Sequence, residues 1–309
     1  MSLLKEIPLK DITMKHILLC LVSIAILSSC DIIDAPYRKE SGPRDTTSND
    51  DTLSSKRIVL LEKFTGAACA PCPNGNDEAK RLVEVYKDIS VISYHVGQFA
   101  KPEPSGGYIY DFRTPVGDEI GLAFFKPQTV DNIQTPLAGI DRIGYDTVTS
   151  IRLTFRNWEK RVIERDSIPS PVAIRLYPWY NPNARTITVS GSIHYLENGF
   201  KDYMLTLAVI EDSIVKPQKQ PDGGKVTDYV HKSVFRSNIP NTTWGSPVSS
   251  IDQQKGSKVE FTRSLQLAND SDWNPKHLKV VGYVYRNFNT PNVSREVLQS
   301  KTEKINIVP

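Results

Sequence analysis

The chain has 309 residues, of which 39% are hydrophobic and 24% charged, and its formal net charge is +3. This composition is typical of a soluble globular protein, and the small net charge with no basic stripe excludes a nucleic-acid-binding protein. Cysteine is rare, with four in the chain, and the positions of these four residues carry most of the functional information.

Residues 1–30 are predicted to be a targeting segment rather than part of the fold. A basic start, Met14-Lys15-His16, precedes an apolar stretch of 11 residues, 17–27. A membrane-spanning helix needs roughly 20 apolar residues, so the stretch fits the core of a signal peptide instead. Translation from Met14 suits this arrangement better than translation from Met1, and the sequence leaves both open.

The targeting segment ends in Leu27-Ser28-Ser29-Cys30, which resembles the lipobox of bacterial lipoproteins. The resemblance implies that Cys30 is lipidated, becomes the first residue of the mature chain and holds the protein to a membrane. The alternative is an ordinary signal peptide with a coincidental cysteine at position 30. Residues 31–56 follow as a flexible linker, because they are rich in Asp, Ser, Thr, Pro and Arg and nearly free of large aliphatic residues.

Residues 57–167 show alternating strand and helix patterns, which predict an α/β domain. Buried strands are expected at 57–64 and 88–96, with an amphipathic helix between them whose apolar positions are Ala79, Leu82, Val83 and Tyr86. Residues 97–129 read as an irregular insertion with a short helix near 119–125. Residues 134–142 are predicted to run strand, turn, strand. Finally, a helix stripe is predicted from Ile151, Phe155, Trp158 and Val162.

The pattern changes at Pro169-Ser170-Pro171, after which apolar residues alternate with a period of two. The runs lie near 172–176, 187–195, 205–209, 259–267 and 280–284, and turn-forming residues separate them. Short strands without helices predict that residues 168–309 form an all-β domain, an immunoglobulin-like β-sandwich. The predicted fold class is thus α/β plus all-β.

Cys69-Ala70-Pro71-Cys72 is the motif most closely tied to chemistry. Cys20 and Cys30 belong to the targeting segment, so Cys69 and Cys72 are the only cysteines in the predicted folded body. Unpaired backbone N–H groups at the start of a helix stabilise a thiolate and lower the pKa of a cysteine there. Cys69, predicted at the helix cap, would then attack a disulfide and Cys72 would resolve the mixed disulfide. Pro71 stiffens the loop between them.

The segment 62–72 resembles the active-site strand and loop of thioredoxin. Phe64 stands five residues before the first cysteine, and Cys-Ala-Pro-Cys differs by one residue from thioredoxin's Cys-Gly-Pro-Cys. Thr135-Pro136 looks like the cis-proline loop of thioredoxins. This resemblance, over about residues 57–165, implies a thioredoxin-like domain in which Thr135, Pro136 and Pro71 contact a bound peptide strand, a form of β-augmentation.

A wider resemblance covers almost the whole mature chain. Residues 62–66 and 69–73, Thr135-Pro136, Arg142, 231–236 and Trp244-Gly245 are similar to the twenty-eight-kilodalton outer-membrane protein family of Gram-negative anaerobes. The family implies an outer-membrane lipoprotein, facing the periplasm or the cell surface, with a thioredoxin-like domain and a β-rich C-terminal domain. No cofactor is implied.

Two residues depart from the thioredoxin pattern. Ala68 replaces the tryptophan that usually precedes the first cysteine, and Lys63 stands where thioredoxins carry a buried aspartate. Glu62 is adjacent, but strand alternation points it to the opposite face. A lysine cannot replace the carboxylate as a base unless its own pKa falls steeply.

Two functions remain open on the sequence. The first is thiol–disulfide exchange with exported proteins or peptides, carried out by Cys69 and Cys72. The second is a non-catalytic surface binding or adhesion protein in which the two cysteines form a structural disulfide; whether the chain is an enzyme depends on this choice. Zinc is a minor alternative, because a structural site needs four ligands and one CxxC supplies two. His95 reads as structural, and 231–236 as either a ligand surface or an ordinary strand.

Overall fold

The computed structural model describes residues 53–144, 152–287 and 295–308. The predicted targeting segment, Cys30 and nearly all of the linker lie outside these residues. Within them the protein is mixed α/β, with many strands and few helices. No helix among these residues is long and apolar enough to cross a membrane.

One large sheet contains strands from both halves of the chain. Its strands are β1 (Val59–Thr65), β2 (Ile89–His95), β3 (Leu137–Ile140), β6 (Tyr203–Glu211), β11 (Val234–Asn238), β12 (Ser246–Pro247), β14 (Leu278–Arg286) and β15 (Val297–Lys304). Their order in the sheet is β15-β14-β6-β11-β2-β1-β3, with β12 paired to β6. β2 pairs in parallel with β1 and with β11, whereas the other pairs are antiparallel.

A second sheet of four strands packs against the C-terminal part of the large sheet. Its order is β13-β5-β4-β16. The core between the two sheets is aliphatic and aromatic, and residues such as Val189 of β5 and Leu207 of β6 are fully or almost fully buried in it. The strands are β4 (Val172–Asn181), β5 (Thr186–Tyr195), β13 (Lys258–Gln266) and β16 (Asn306–Ile307). The predicted period of two is confirmed here.

In the part of the chain that the structure describes, three α-helices cover the large sheet: α1 (Cys72–Tyr86), α2 (Pro115–Phe125) and α3 (Trp158–Asp166). α1 and α3 share one core with alternate residues of β1, among them Leu61. α2 covers the opposite face, where Phe64 contributes. The apolar stripe predicted for α1 therefore packs as expected.

Three sequence predictions need correction. The helix near 119–125 is longer and starts at Pro115, because the Thr114 side chain accepts a hydrogen bond from the Gly117 N–H. The helix predicted from Ile151 starts at Trp158, because Leu153 is held extended by two backbone hydrogen bonds with Ala138. The described residues of 134–142 form one strand, β3, rather than two.

The predicted boundary at 167/168 falls between α3 and β4, and the large sheet draws strands from both sides of it. Two short hairpins lie beside this sheet in the C-terminal half. They are formed by β7 (Ile214–Val215) with β10 (Val230–His231) and by β8 (Gln218–Lys219) with β9 (Lys225–Val226).

Candidate functional site

Cys69 and Cys72 form a disulfide at the start of α1. The helix begins at Cys72 rather than at the predicted cap Cys69, and residues 69–71 make a turn in which the Cys72 N–H donates to the Cys69 carbonyl at 3.3 Å. No side chain caps the helix. The pair nevertheless lies at the positive end of the α1 dipole, which favours negative charge on a sulfur there.

Pro136 packs against the first turns of the same helix. The Thr135-Pro136 peptide is cis, and a Cβ added to Gly75 would lie 3.1 Å from the Pro136 Cβ. The Thr135 hydroxyl is buried without a hydrogen-bond partner among the residues described. Beside this loop lies an open cleft of about 590 Å³, lined by Phe99, Pro136, Arg156 and neighbouring residues. The structure therefore brings the predicted site residues Cys72, Thr135 and Pro136 to one end of α1, with exposed Pro71 beside them.

Lys63 and Glu62 lie on opposite faces of β1, as strand alternation requires. Lys63 faces α1, is only 5% exposed and donates a hydrogen bond to the Asn76 side-chain oxygen. Burial lowers the pKa of Lys63 to about 7, and the nearby charge of Asp77 opposes this shift. The steep fall that a lysine base requires is thus present.

Polar and aromatic groups from both halves of the chain lie in series beyond the Lys63 amine. The Asn76 amide donates to the Tyr229 hydroxyl at 2.8 Å, and the Tyr229 ring lies 5.0 Å from that of His231. His231 and His95 flank Phe112, at 4.6 and 4.4 Å between ring centroids. Burial lowers the pKa of His231 to about 4 and holds the pKa of His95 well below its usual value, so both rings are neutral near pH 7.

The C-terminal half also covers the CxxC loop. The Gln218 side chain donates to the Cys69 carbonyl at 3.1 Å and to the Gly66 carbonyl at 3.2 Å. The Lys219 N–H donates to the Ala67 carbonyl at 2.9 Å. Cys69 is consequently 1% exposed and Cys72 fully buried. A reacting partner reaches the buried Cys69 sulfur only after a neighbouring segment moves, and the segments around Gln218 and Phe99 are both hydrogen-bonded to this loop.

On the other face of β1, Glu62 forms a buried ion pair with Arg142. The shortest distance is 2.7 Å, and Arg142 also donates to the Tyr283 hydroxyl at 2.7 Å. Four aromatic rings, those of Phe124, Trp244, Tyr283 and Tyr285, surround the guanidinium at 4.9–5.7 Å. This cluster is closed to solvent and reads as structural.

Sequence reasoning singled out the cysteines, Lys63 and the proline loop but missed Asn76, Gln218 and Tyr229. Asn76 lies one helical turn after Cys72 and could have been found from helical spacing, whereas Gln218 and Tyr229 reach the site through the tertiary fold. The sequence is compatible with two interpretations of residues 231–236, a ligand surface or an ordinary strand. Val234 to Asn238 form β11 inside the large sheet, and His231 is buried beneath the site.

The described ranges contain no group of three or more histidine, cysteine or acidic side chains placed to hold a metal ion. The two CxxC sulfurs are joined to each other and offer no thiolate ligand in this state.

Comparison with known proteins places the chain among outer membrane proteins. Residues 127–306, more than half of the chain, match the family model of outer membrane protein Omp28. HBP35 of Porphyromonas gingivalis is similar in structure over 82% of this chain and 77% of that chain, with a TM-score of 0.61 and 15% identity. A domain of the outer membrane lipoprotein Omp28 from the same organism aligns with 45% of this chain and 90% of its own, with a TM-score of 0.29 and 16% identity.

The likeness to HBP35 shows a shared fold and no more, because the sequence identity is low. No curated protein sequence is a significant match. The family match begins after the CxxC motif, so the chemistry of that motif has to be argued from the site itself.

Proposed function

The chain belongs to the Omp28 outer membrane protein family, and from that membership and the site geometry we propose a lipid-anchored protein that exchanges thiols and disulfides with exported proteins or peptides. The family assigns the outer membrane as its location and confirms the resemblance found in the sequence. The observation that carries the exchange function is a disulfide at the uncapped start of a helix, beside a cis-proline loop and a buried lysine.

We propose that residues 57–167 form a thioredoxin-like domain. Its support is the arrangement of parallel β1 and β2, antiparallel β3 on the other side of β1, and α1 starting at the second cysteine. Residues 168–309 are proposed to form an immunoglobulin-like sandwich, supported by the core between the two sheets. β11, β6, β14 and β15 extend the first domain's sheet.

In the reducing direction, the reaction is a two-electron transfer from the cysteine pair to a substrate disulfide. The Cys69 thiolate attacks one substrate sulfur, an S–S bond to the substrate forms, and the other substrate sulfur leaves as a thiolate that takes up a proton. Cys72 then attacks Cys69, the mixed disulfide breaks, and the second substrate thiol is released. The Cys69–Cys72 disulfide is regenerated, and the Thr135-Pro136 backbone aligns the substrate strand.

A trapping experiment tests this proposal. The Cys72→Ser variant cannot resolve a mixed disulfide, so it should accumulate an adduct at Cys69 with glutathione disulfide or a disulfide-containing peptide, visible by mass spectrometry. The matched control Cys69→Ser removes the attacking sulfur and should give little adduct. If Cys72→Ser forms no adduct with any reducible substrate, the exchange mechanism is wrong.

The burial of Cys69 favours a second candidate, a binding protein with a structural disulfide. The Gln218 segment is hydrogen-bonded to the CxxC loop and the pair is buried, and a purely structural disulfide does not have to be accessible to a substrate. The reduction potential separates the two functions. A value between roughly −120 and −270 mV lies in the range of working oxidoreductases, whereas one below about −300 mV marks a structural disulfide.

The lipid anchor at Cys30 is a separate proposal, supported by the residues of the predicted lipobox and by the outer-membrane family. Cells expressing the full chain and fed a labelled fatty acid should produce a labelled protein. Cys30→Ser should abolish the label, and the matched variant Cys20→Ser should retain it. A label that persists in Cys30→Ser would contradict the anchor.

A further inference from the structure

Lys63 is a buried amine that the exchange mechanism above does not use. Among the described residues no carboxylate lies within ion-pair distance of it, and its hydrogen bond goes to the neutral Asn76 side chain. A buried charge without an opposite charge is costly, so burial favours the uncharged amine. A neutral amine that donates one N–H to Asn76 keeps a lone pair that can accept a proton.

The hydrogen-bond partner of this amine, Asn76, lies one helical turn from Cys72. Residues four apart on a helix lie one above the other on the same face, so Asn76 is one turn beyond Cys72 on the side that faces β1. The Lys63 side chain projects from β1 toward that face. Cys72 is fully buried, so no solvent contacts its sulfur to remove the thiol proton.

From this geometry we infer that Lys63 accepts the proton of the Cys72 thiol when Cys72 resolves the mixed disulfide. The inference rests on the proposed exchange function. The Cys72 S–H bond breaks, its proton moves to the Lys63 amine, and the resulting thiolate attacks the Cys69 sulfur of the mixed disulfide. The Cys69–Cys72 bond forms, the bond to the substrate breaks, and the substrate thiolate carries the electron pair away. Lys63 returns its proton to solvent or to the leaving thiolate.

The charges around Lys63 set the pH range in which it acts. Burial lowers the pKa of Lys63 to about 7, so the amine is protonated below that pH and able to accept a proton above it. The pKa values of His95 and His231 are lowered by burial and that of Tyr229 is raised by burial, so these groups stay neutral near pH 7. The nearby charge of Asp77 in α1 favours protonation of Lys63, and Arg236 of β11 helps to lower the pKa of His95.

A single-turnover experiment separates the two steps of exchange. Reduced full-length protein is mixed with glutathione disulfide between pH 5.5 and 9.5, quenched with acid, and its mixed disulfide followed by mass spectrometry. In the unaltered protein the rate of resolution should rise through a midpoint near pH 7 and then level off. Lys63→Met should slow resolution at pH 7.5 roughly 100-fold, the lower end of what a positioned base contributes, and leave formation of the adduct far less affected.

Two further variants distinguish a base from a positive charge. Lys63→Arg keeps the charge but cannot release a proton, so it should resolve as slowly as Lys63→Met. Lys80→Met removes an exposed lysine from α1, the helix that carries Cys72, and should behave as the unaltered protein. In a Cys69→Ser background, where thiolate absorbance at 240 nm reports Cys72, Lys63→Met should shift the Cys72 titration upward.

The outcomes distinguish this inference from the function on which it rests. If the unaltered protein forms no mixed disulfide, the exchange function fails and the role of Lys63 falls with it. If the unaltered protein exchanges but Lys63→Met keeps the rate and the midpoint near pH 7, the inference alone is overturned. Fast resolution by Lys63→Arg would likewise overturn proton acceptance, because the charge would then be sufficient.

Discussion

Replacing Arg142 with methionine tests whether the buried ion pair behind β1 holds the site's supporting strand in place. Arg142 is fully buried and Glu62 1% exposed, and they meet at 2.7 Å. Methionine fills much of the same volume without charge or hydrogen-bond donors. After the substitution, the Tyr94 hydroxyl at 3.3 Å is the donor left to the Glu62 carboxylate among the contacts described.

The expected loss of stability follows from this burial. Removing one partner of a buried pair leaves an unpaired charge and typically costs about 3–5 kcal/mol. The surrounding rings of Phe124, Tyr283, Tyr285 and Trp244 also lose a cation at 4.9–5.7 Å. The double variant Glu62→Leu with Arg142→Met removes both charges and should recover most of the loss, because apolar replacements of buried pairs are often neutral or stabilising.

Urea unfolding at pH 7.5, followed by circular dichroism, gives the free energies for a double-mutant cycle. Arg81→Met serves as a matched control, since Arg81 makes two ion pairs but is 43% exposed and should contribute much less. A loss below about 1 kcal/mol for Arg142→Met, or a double variant as unstable as the single one, would refute the reasoning.

Three further predictions concern the site. Replacing Cys69 and Cys72 by serine should lower the free energy of unfolding by roughly 2 kcal/mol, the entropy of a four-residue loop, and an unchanged urea midpoint would contradict it. His231→Gln should flatten the loss of stability between pH 6.5 and 4, because a native pKa lowered to about 4 disfavours folding by roughly 3 kcal/mol as pH falls through that window; urea midpoints at each pH test this. Gln218→Ala should speed reduction of the disulfide by dithiothreitol several-fold in an acid-quenched time course, and an equal rate would show that Gln218 does not limit access of the reductant to the disulfide.

The sequence predicted local elements well where one pattern dominated. The apolar spacing of α1 and the alternation in β4 and β5 follow directly from which face is buried, so both were predicted. The start of α3 was missed because Phe155 and Trp158 fit a helical stripe, whereas the backbone pairing of Leu153 with Ala138 depends on the tertiary fold. Thr114 followed by Pro115 is a typical helix start, so the beginning of α2 is predictable from the sequence.

The candidate site was predictable only in its N-terminal half. Cys69, Cys72 and Lys63 lie on one strand-to-helix unit, so their proximity follows from the sequence. Gln218 and Tyr229 are about 150 residues along the chain from Cys69 and Asn76, which they contact. Strand pairings in the folded protein bring them to the site, and no local sequence pattern predicts those pairings.

The shared sheet has a consequence for the order in which the exported chain matures. β2 pairs with β11, and the Arg57 guanidinium donates to the Val297 carbonyl at 2.8 Å. The N-terminal strands therefore complete their contacts only after the C-terminal strands have been synthesised and exported. Such long-range pairing is slow and leaves strand edges open in the meantime. Until the C-terminal half has been delivered across the inner membrane, β2 lacks its partner β11 and the CxxC loop lacks the Gln218 segment that covers it. The cysteines are therefore most exposed to periplasmic oxidants and reductants in the newly translocated chain.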